Sequence, residues 1–399
     1  SHSRSLLSPH RVLEGGMMSF LKLANQYREF DFPGYFGSVT PGDVEASLSK
    51  AGDINRLDVH DLLNLLSPAA VDYLEPMAQV ARQLTLQYFG RTIGLYAPIY
   101  ISDYCANHCT YCGFNAKTDF PRTKLTLEEI DAEGQAIADL GIRHILVLTG
   151  EAPAKTPISY LEDAVKVLTR HFPSVALEMF PMEEADYRRL RAAGADSLTV
   201  YQEAYDQELY REVHPRGPKS DYAFRLLTPE RGARAGFRAL NIGTLFGLGE
   251  PRAEAFMAGL HARFLEREFP DVEVSLSLPR MRQAEGAIAP RHLLSDAGFV
   301  QTMLAWRLFM PRLGITVSTR ESAQFRDHLI HLGATRYSAG SKTDVGGYTV
   351  RNPDSIAPGG TNPDTTVQFE ITDTRSVAEI TQMIRDKGYQ PVFKDWELF

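Results

Sequence analysis

Helical spacing of apolar residues dominates the first part of the chain. Residues 19–90 predict short amphipathic helices over Asp43–Ala51 and Val59–Leu66 and a longer helix over Ala69–Tyr88. In the longer segment, apolar side chains recur every three or four positions, so that they share one face of the helix. We therefore expect residues 19–94 to form an N-terminal helical extension that packs outside the main domain.

From residue 95 onward, short runs of β-branched and apolar residues alternate with amphipathic helical stretches. The predicted strands are Leu95–Ser102, His144–Leu148, Val175–Phe180, Ser197–Tyr201, Ala239–Phe246, Val272–Leu278, Ile315–Thr319 and Arg336–Ala339. The predicted helices are Leu127–Leu140, Ile158–Arg170, Glu183–Ala193, Arg225–Ala235, Arg252–Glu268, Asp296–Leu313 and Ala323–Leu332. Thr126 and Glu129 form a capping box at the start of the first of these helices.

This alternation predicts an α/β fold, a (β/α)8 TIM-type barrel over residues 95–341, because about eight β-then-α units form a closed parallel sheet. In such barrels the active site lies at the carboxyl ends of the strands. An open doubly wound sheet is the alternative, but no GxGxxG loop follows a predicted strand.

The two ends of the chain differ from the barrel in composition. Residues 342–370 are rich in Gly, Pro, Asp and Asn and predict a long loop over one end of the barrel. With a helix over Ser376–Lys387 and a short tail, they form an expected C-terminal capping segment, residues 342–399. Residues 1–18 are expected to be a cloning remnant or upstream sequence, with one of the two adjacent methionines at its end as the native start.

Composition narrows the class of protein. Of the 399 residues, 44% are hydrophobic and 23% are charged, as in soluble globular proteins. We see no signal peptide, and no apolar run reaches the ~18 residues of a membrane span. The net charge of −8 disfavours a broad electrostatic contact with nucleic acid. We therefore expect neither a membrane nor a nucleic acid as partner.

Three clustered cysteines carry the first chemical signal. Cys105, Cys109 and Cys112 follow the first predicted strand with CxxxCxxC spacing. An odd, clustered set does not fit a disulfide framework, and it indicates a metal site in a reducing compartment, the cytoplasm. Three thiolates fit a [4Fe–4S] cluster with one iron free to bind an amine and a carboxylate, a pair that S-adenosylmethionine (SAM) offers. Zinc with His108 as fourth ligand, or three unligated cysteines, are the alternatives.

With this motif, seven further segments resemble the radical SAM superfamily. Within it they resemble the aromatic amino-acid lyases and, more narrowly, the 2-iminoacetate synthases, which are the tyrosine lyases of thiazole biosynthesis. These segments are Pro98–Tyr100, Leu148–Glu151, Tyr201–Glu203, Ser275–Arg280, Ser318–Glu321, Ser338–Ser341 and Phe393–Trp396. The resemblance implies that a 5′-deoxyadenosyl radical takes hydrogen from the amino group of L-tyrosine. The Cα–Cβ bond then breaks to give 2-iminoacetate (dehydroglycine) and 4-methylphenol, with 5′-deoxyadenosine and methionine from SAM, for thiamine thiazole synthesis.

The resemblance also assigns residues to SAM. Thr149, Gly150 and Glu151 follow the second strand and would meet the amino group of SAM. Glu203, after the fourth strand, would accept the ribose hydroxyls. The alternatives are an ordinary turn with a solvated Glu151 and a Glu203 that caps a helix.

Three more residues are expected at SAM by resemblance. Arg225 would pair with the carboxylate of SAM, which suits a bidentate guanidinium, unless it is a surface helix residue. The backbone of Tyr111 would touch adenine. Gly113 has no side chain and would let the backbone pass close to SAM.

The amino-acid substrate is expected at five positions. Arg320, after the seventh strand, would bind the carboxylate of tyrosine, unless it pairs with a nearby acid at the barrel mouth. Tyr100 and Ser338, at the ends of the first and eighth strands, would line the pocket with it, although Tyr100 also fits a core position. Ser277 and Arg280, which close the sixth strand, are the remaining substrate-facing residues.

The resemblance leaves several enzymes and partners to be separated. The hydrogenase-maturation tyrosine lyase needs a second cluster with C-terminal cysteines, and no cysteine follows Cys112. A tryptophan lyase shares the same motifs and stays open, as does a non-catalytic iron–sulfur or zinc scaffold. A low-potential electron donor, flavodoxin or ferredoxin, and thiazole synthase are the partners that the resemblance implies.

Overall fold

Eight parallel strands close into a barrel in the computed structural model, which describes residues 19–52, 56–349 and 366–394. The barrel strands are β1 (Thr92–Ser102), β2 (His144–Thr149), β3 (Ser174–Glu178), β4 (Ser197–Glu203), β5 (Ala239–Thr244), β6 (Glu273–Ser277), β7 (Gly314–Val317) and β8 (Arg336–Ser338). Neighbours follow one another from β2 to β8, and β1 pairs with both β8 and β2, which closes the ring. The predicted (β/α)8 TIM-type barrel is therefore confirmed, and the open doubly wound sheet is wrong.

Each predicted strand is present, with its ends shifted by a few residues. The third strand was expected to reach Phe180 but ends at Glu178, and the fourth extends to Glu203. In register, Tyr100 pairs with Leu148 and Leu148 pairs with Glu178. The carboxyl ends of β1, β2 and β3 therefore lie level at one opening of the barrel.

The helices follow sequence signals at their ends. Those of the described residues are α1 (Phe20–Gln26), α2 (Phe32–Ser38), α3 (Pro41–Lys50), α4 (Val59–Leu66), α5 (Leu74–Phe89), α6 (Leu127–Asp139), α7 (Ile158–Leu168), α8 (Glu184–Ala193), α9 (Gln207–Val213), α10 (Tyr222–Leu226), α11 (Thr228–Arg234), α12 (Pro251–Glu268), α13 (Asp296–Phe309), α14 (Ala323–Leu329) and α15 (Val377–Asp386). Thr126 and Glu129 exchange side-chain and backbone hydrogen bonds, so the predicted capping box at the start of α6 is confirmed.

Several elements differ from the sequence prediction. The helix expected over Ala69–Tyr88 begins as a 3-10 helix, Pro68–Tyr73, and is α-helical only from Leu74. The single helix expected over Arg225–Ala235 is divided into α10 and α11, because Pro229 has no N–H to donate to the preceding turn. Helix α9 was not predicted. The last strand, β9 (Gln390–Val392), was also not predicted, and it pairs with the start of β1 outside the ring.

The N-terminal helices lie against the outside of the barrel helices, with α4 and α5 on α13 and α4 also on α12. Gln301 of α13 donates hydrogen bonds to the carbonyls of Leu65 and Ser67 at 2.9 and 2.8 Å. The ring of Phe20 stacks on that of His261 at 3.9 Å. One hydrophobic cluster runs from these helices into the barrel, so the extension and the barrel share a core.

The C-terminal segment crosses the carboxyl end of the barrel. The described parts of the predicted cap are residues 342–349 and 366–370, and its residues 350–365 lie outside the described residues. Backbone amides of Thr372 and Asp373 donate to the carbonyl of Thr319 after β7, at 2.8 and 3.0 Å. The buried Asp373 carboxylate also accepts a hydrogen bond from the buried Arg326 at 2.6 Å. Among the helices of the described residues, none has the length and apolar character needed to cross a membrane.

We expect Asp373→Asn to lower the free energy of unfolding by about 3–5 kcal/mol, because it leaves the guanidinium of Arg326 buried without its counter-charge. Chemical denaturation followed by circular dichroism measures the change. The control is Asp163→Asn, which removes one partner of an exposed pair with Lys166 and should cost less than about 1 kcal/mol. Equal effects of the two substitutions would contradict the role of the buried pair.

Candidate active site

The three cysteines lie on the loop that follows β1. Cys109 is buried, Cys105 and Cys112 are half-buried, and all three thiols are free. Asn115 holds the loop in a folded conformation. Its side-chain NH2 group donates to the carbonyl of Cys109 at 3.0 Å, and its backbone N–H donates to the carbonyl of Cys112 at 3.1 Å. The ordered backbone therefore holds the three thiols on one short loop at the barrel mouth.

Neighbouring loops hold the cysteine loop in place. The amide of Ala106 donates to the carbonyl of Glu151 at 2.8 Å, and the side chain of Asn107 donates to the carboxylate of Glu151 at 2.5 Å. The side-chain oxygen of Asn107 accepts a hydrogen bond from the backbone of Lys219 at 2.8 Å. Asn107 therefore joins the turn after β2 to the segment after α9, with the cysteines between them.

Both glycines that were predicted to bind SAM lie where another backbone segment comes close to the cysteine loop. A side chain at Gly150 would collide with the carbonyl of Tyr104, next to the first cysteine. A side chain at Gly113 would collide with the carbonyl of Val367, and the amide of Gly113 donates to the carbonyl of Gln368 at 3.2 Å. Both positions need glycine because other backbone approaches them closely.

The donor set fits an iron–sulfur cluster in its chemistry. Burial raises the pKa of Cys109 to about 12 and that of Cys112 to about 11, with the neighbouring thiols adding to the shift and Lys219 opposing it. Thiolates are the ligands of such clusters, so binding would displace protons from these thiols. Among the described residues, no group of three or more His, Cys, Asp or Glu side chains, the three cysteines included, is already drawn together to hold a metal ion.

A cavity adjoins the cysteine loop, and we call it the outer cavity. Its wall includes Tyr111, Cys112, Glu178, Tyr201, Glu203, Lys219, Met281, Arg282, Arg320, Gln368 and Phe369. Two of the residues predicted to bind SAM, Tyr111 and Glu203, are therefore on this wall. Cys112, one of the three predicted cluster ligands, is also on this wall.

Glu203 is held in an unusual conformation. Among the described residues it is the one non-glycine residue with a positive φ, 70°, and the register between β4 and β5 shifts at this point. Its carboxylate accepts a hydrogen bond from Lys219 at 2.8 Å and lies 3.5 Å from the guanidinium of Arg225. Burial alone would raise the pKa of Glu203, but Lys219 and Arg225 hold it below its ordinary value.

The other predicted SAM residues lie behind this wall. Arg225 is buried and donates to the carbonyl of Tyr201 at 2.7 Å, so it is not a surface helix residue. Glu151 is buried as well and contacts the cysteine loop as described above. The side-chain oxygen of Thr149 is buried without a hydrogen-bond partner among the described residues, and Thr149 lines neither cavity.

A second cavity continues into the barrel, and we call it the inner cavity. Four of the five predicted substrate residues line it, namely Tyr100, Ser277, Arg320 and Ser338. The Tyr100 hydroxyl donates to the side chain of Gln368 at 2.8 Å, so the capping segment closes over it. The two cavities share the lining residues Glu178, Tyr201, Pro279, Arg320 and Phe369, and they meet at these side chains.

The two arginines predicted to face the substrate are placed differently. Arg320 lies 3.4 Å over the ring of Phe369 and donates to the carbonyl of Arg280, and it forms no ion pair with a carboxylate of the described residues. Glu321, the alternative partner of Arg320, pairs instead with Arg280 and Arg282. The side chain of Arg280 is outside both cavities, so its predicted substrate contact is not supported. Its carbonyl positions Arg320.

Sequence reasoning missed four residues of the cavity walls. Glu178 ends β3, but the predicted strand ran two residues too far and placed it inside the strand. The rule that active sites lie at carboxyl strand ends would otherwise have selected it. Lys219 lies in the short 3-10 helix Pro218–Ser220, and Gln368 and Phe369 come from a loop. Their contribution depends on tertiary contacts that no local pattern shows.

Comparison with known proteins assigns the class of this site. The chain matches the Radical SAM superfamily over residues 99–258 and the Biotin and Thiamin Synthesis associated domain over residues 277–390. It is 38% identical to the 2-iminoacetate synthase of Salmonella typhimurium over 359 residues, which is 90% of this chain and 91% of that protein. The Escherichia coli 2-iminoacetate synthase is 37% identical over 90% of this chain and 92% of that protein. A crystal structure of HydG, a maturase of the [FeFe]-hydrogenase, superposes with a TM-score of 0.84 at 30% identity, over 94% of this chain and 80% of that chain.

The barrel and its cysteine loop are those of a radical SAM enzyme, a class that uses a [4Fe–4S] cluster and SAM. Within that class, the chain belongs to the 2-iminoacetate synthase family. The predicted superfamily, family and cofactors are confirmed, and the non-catalytic scaffold is wrong.

We expect Glu178→Gln to stabilise the purified protein at pH 8 but much less at pH 5. Burial raises the pKa of Glu178 from 4.5 to about 7, so the folded chain binds this proton more tightly than the unfolded chain does. Stability is therefore lost as the pH rises through this range, and the neutral glutamine removes the loss, worth about 1–3 kcal/mol. Thermal unfolding at both pH values measures it, with Glu273→Gln at the other end of the barrel as the control. An identical shift at both pH values would refute the prediction.

Proposed function

We propose that this chain cleaves the Cα–Cβ bond of L-tyrosine to 2-iminoacetate and 4-methylphenol, with SAM giving 5′-deoxyadenosine and methionine, in thiamine thiazole synthesis. The single observation that carries the proposal is Arg320. Its side chain is partly buried and forms no ion pair with a carboxylate of the described residues, at the junction of the two cavities. A cation drawn partly out of water without a counter-ion is costly, so the site favours an anionic ligand such as the carboxylate of an amino acid.

The inner cavity supports an aromatic amino acid as the ligand. Its depth is lined by Tyr96, Leu146 and Leu148, and hydroxyls of Ser338 and Thr316 add polar contacts. In the proposed complex, Arg320 holds the carboxylate while the ring extends between these walls. Tyr100 and Ser338 line the space beside the amino acid and orient it.

The protein also has to keep the reacting atoms away from water. When bound, the cluster and SAM supply a 5′-deoxyadenosyl radical through one-electron cleavage of SAM. The capping segment, through Gln368 and Phe369, covers the cavities from the open side of the barrel. Hydrogen bonds from Thr343 to the carbonyl of Phe369 at 2.9 Å and from the Gln368 amide to the carbonyl of Thr343 at 3.2 Å keep it there. This cover excludes other hydrogen donors.

The remaining roles are proposed from the positions of the side chains. The cluster ligands are Cys105, Cys109 and Cys112, and the SAM-binding residues are Tyr111, Gly113, Thr149, Gly150, Glu151, Glu203 and Arg225. Lys219 joins them because it lies on the outer cavity and neutralises Glu203. Electrons would come from a flavodoxin or ferredoxin, and thiazole synthase would take up the imine, in the cytoplasm.

Anaerobic reconstitution with iron and sulfide, followed by incubation with SAM, reductant and L-tyrosine, tests the proposal. We expect 4-methylphenol and 5′-deoxyadenosine to accumulate together, because both arise from one turnover. An indole product from L-tryptophan, with no 4-methylphenol from L-tyrosine, would replace the tyrosine assignment by a tryptophan lyase. Cys109→Ala should abolish both products and lower the iron content, whereas His108→Ala on the same loop should keep the iron, since His108 is not a ligand in this proposal.

Arg320→Met should lower kcat/KM for L-tyrosine by the equivalent of about 2–5 kcal/mol, because the substrate carboxylate loses its buried counter-charge. Initial rates of 4-methylphenol formation over a range of tyrosine concentrations give the value. The control is Arg291→Met, an exposed arginine that pairs with Glu212 and lines neither cavity, which should leave the rate unchanged. A wild-type kcat/KM in Arg320→Met would remove the basis of the proposed function.

A further inference from the structure

Two side chains of opposite charge line the junction of the two cavities. Glu178 and Arg320 both line the outer and the inner cavity. Glu178 ends β3 and Arg320 follows β7, and three strands separate β3 from β7 in either direction around the ring. The carboxylate and the guanidinium therefore come from opposite sides of the barrel mouth.

Neither charge is neutralised by a direct partner. The carboxylate of Glu178 forms no hydrogen bond or ion pair with another side chain of the described residues, and Arg320 forms no ion pair there. Glu203, on the neighbouring strand, is bound by Lys219 and Arg225. The protein thus satisfies one carboxylate of this region and leaves the other one facing the cavities.

A structural glutamate in this chain has a different environment. Glu254 is buried, and its carboxylate accepts hydrogen bonds from the backbone of Tyr205 at 2.8 Å and Asp206 at 3.2 Å and from the hydroxyl of Thr244 at 2.8 Å. Such bonds are the usual condition for burying a carboxylate. Glu178 is only partly buried and has none of these bonds, so its carboxylate is open to a ligand in the two cavities that it lines.

The electrostatic surroundings agree with this contrast. Burial raises the pKa of Glu178 to about 7, the nearby Glu203 adds to the shift, and Arg320, Arg225 and Lys219 oppose it without cancelling it. A cation placed beside Glu178 would therefore stabilise its charged form. That cation has to come from a ligand.

We propose that Glu178 binds the α-ammonium group of the substrate while Arg320, on the opposite side of the mouth, binds its α-carboxylate. The inference deepens the proposed function, on which it rests, and assigns the ligand class as an α-amino acid held as a zwitterion. Charge-assisted hydrogen bonds at both ends fix the backbone of the amino acid across the junction. The side chain of the amino acid then enters the inner cavity.

This placement brings the amino group to the reacting position. The junction is the part of the inner cavity that opens to the outer cavity, beside Cys112 and Glu203. A nitrogen held by Glu178 faces the space proposed for SAM, and its hydrogen is the one that the proposed reaction removes. Glu178 therefore positions the amine, and it also favours amino acids over acids of the same shape that lack nitrogen.

Ligand binding to the reconstituted holoenzyme, with SAM and without reductant, tests the inference. The probes are L-tyrosine, 3-(4-hydroxyphenyl)propionate, which lacks the amine, and tyramine, which lacks the carboxylate, each measured by calorimetry. In Glu178→Gln, we expect tyrosine and tyramine to bind about tenfold weaker or more, since a charge-assisted bond is lost, while the propionate keeps its affinity. Arg320→Met should show the reverse pattern, with the propionate weakened and tyramine retained. Glu273→Gln is the matched control and should bind all three probes as the wild type does.

Iron content and thermal unfolding of each variant establish that it is folded, and Glu178→Ala, which should show the same pattern, guards against a misfolded glutamine variant. The inference is overturned if folded Glu178→Gln binds tyrosine with wild-type affinity, or if it weakens the propionate as much as tyrosine. L-tryptophan and indole-3-propionate form a parallel pair of probes. If the wild type binds tryptophan in place of tyrosine and Glu178→Gln weakens only the amino acid, the tyrosine assignment fails while the role of Glu178 stands.

Discussion

Closure of the parallel sheet, through the pairing of β1 with both β2 and β8, is the constraint on which this site depends. In a closed parallel ring, every strand delivers its carboxyl end to the same opening. The cysteine loop after β1, Glu178 on β3, Glu203 on β4 and Arg320 after β7 are separated by up to half of the chain, and they surround one pair of cavities for this reason alone. An open sheet would place the first and the last of these residues at opposite edges.

The charged side chains at the barrel mouth fall into two groups, those paired with an opposite charge and those without such a partner among the described residues. Glu321 is bound by Arg280 and Arg282, and Asp373 is bound by Arg326, so these groups hold the loops together. Glu178 and Arg320 point into the cavities without such partners. Partly buried charge without a partner is unfavourable in the free protein, and it becomes favourable when a ligand of complementary charge displaces the solvent. The arrangement therefore costs stability and favours recognition of a zwitterion.

In the cysteine loop, the same residues fix the backbone and are assigned to SAM by the family resemblance. Its backbone is bonded to the turn after β2 and to the C-terminal segment, and Asn107 ties it to the segment after α9. These contacts use the carboxylate of Glu151 and the close approach at Gly113 and Gly150, residues that the family resemblance assigns to SAM. The same short stretches thus shape the loop that carries the thiols, so changes there act on the cluster and on the outer cavity together.

Much of the architecture and chemistry was determined by sequence alone, because it depends on local signals. The alternation of strands and helices, the capping box at Thr126 and the CxxxCxxC spacing each involve residues close together in the chain, and all of them appear in the structure. Tertiary structure decided which side chains reach the cavities. The side chain of Arg280 lies outside the cavities because acids distant in sequence bind it. Glu178, Lys219 and Phe369 line the cavities because strand ends and connecting segments far apart in sequence converge at the barrel mouth. Such choices depend on competition among partners that meet only after the barrel has closed, and a one-dimensional pattern does not contain them.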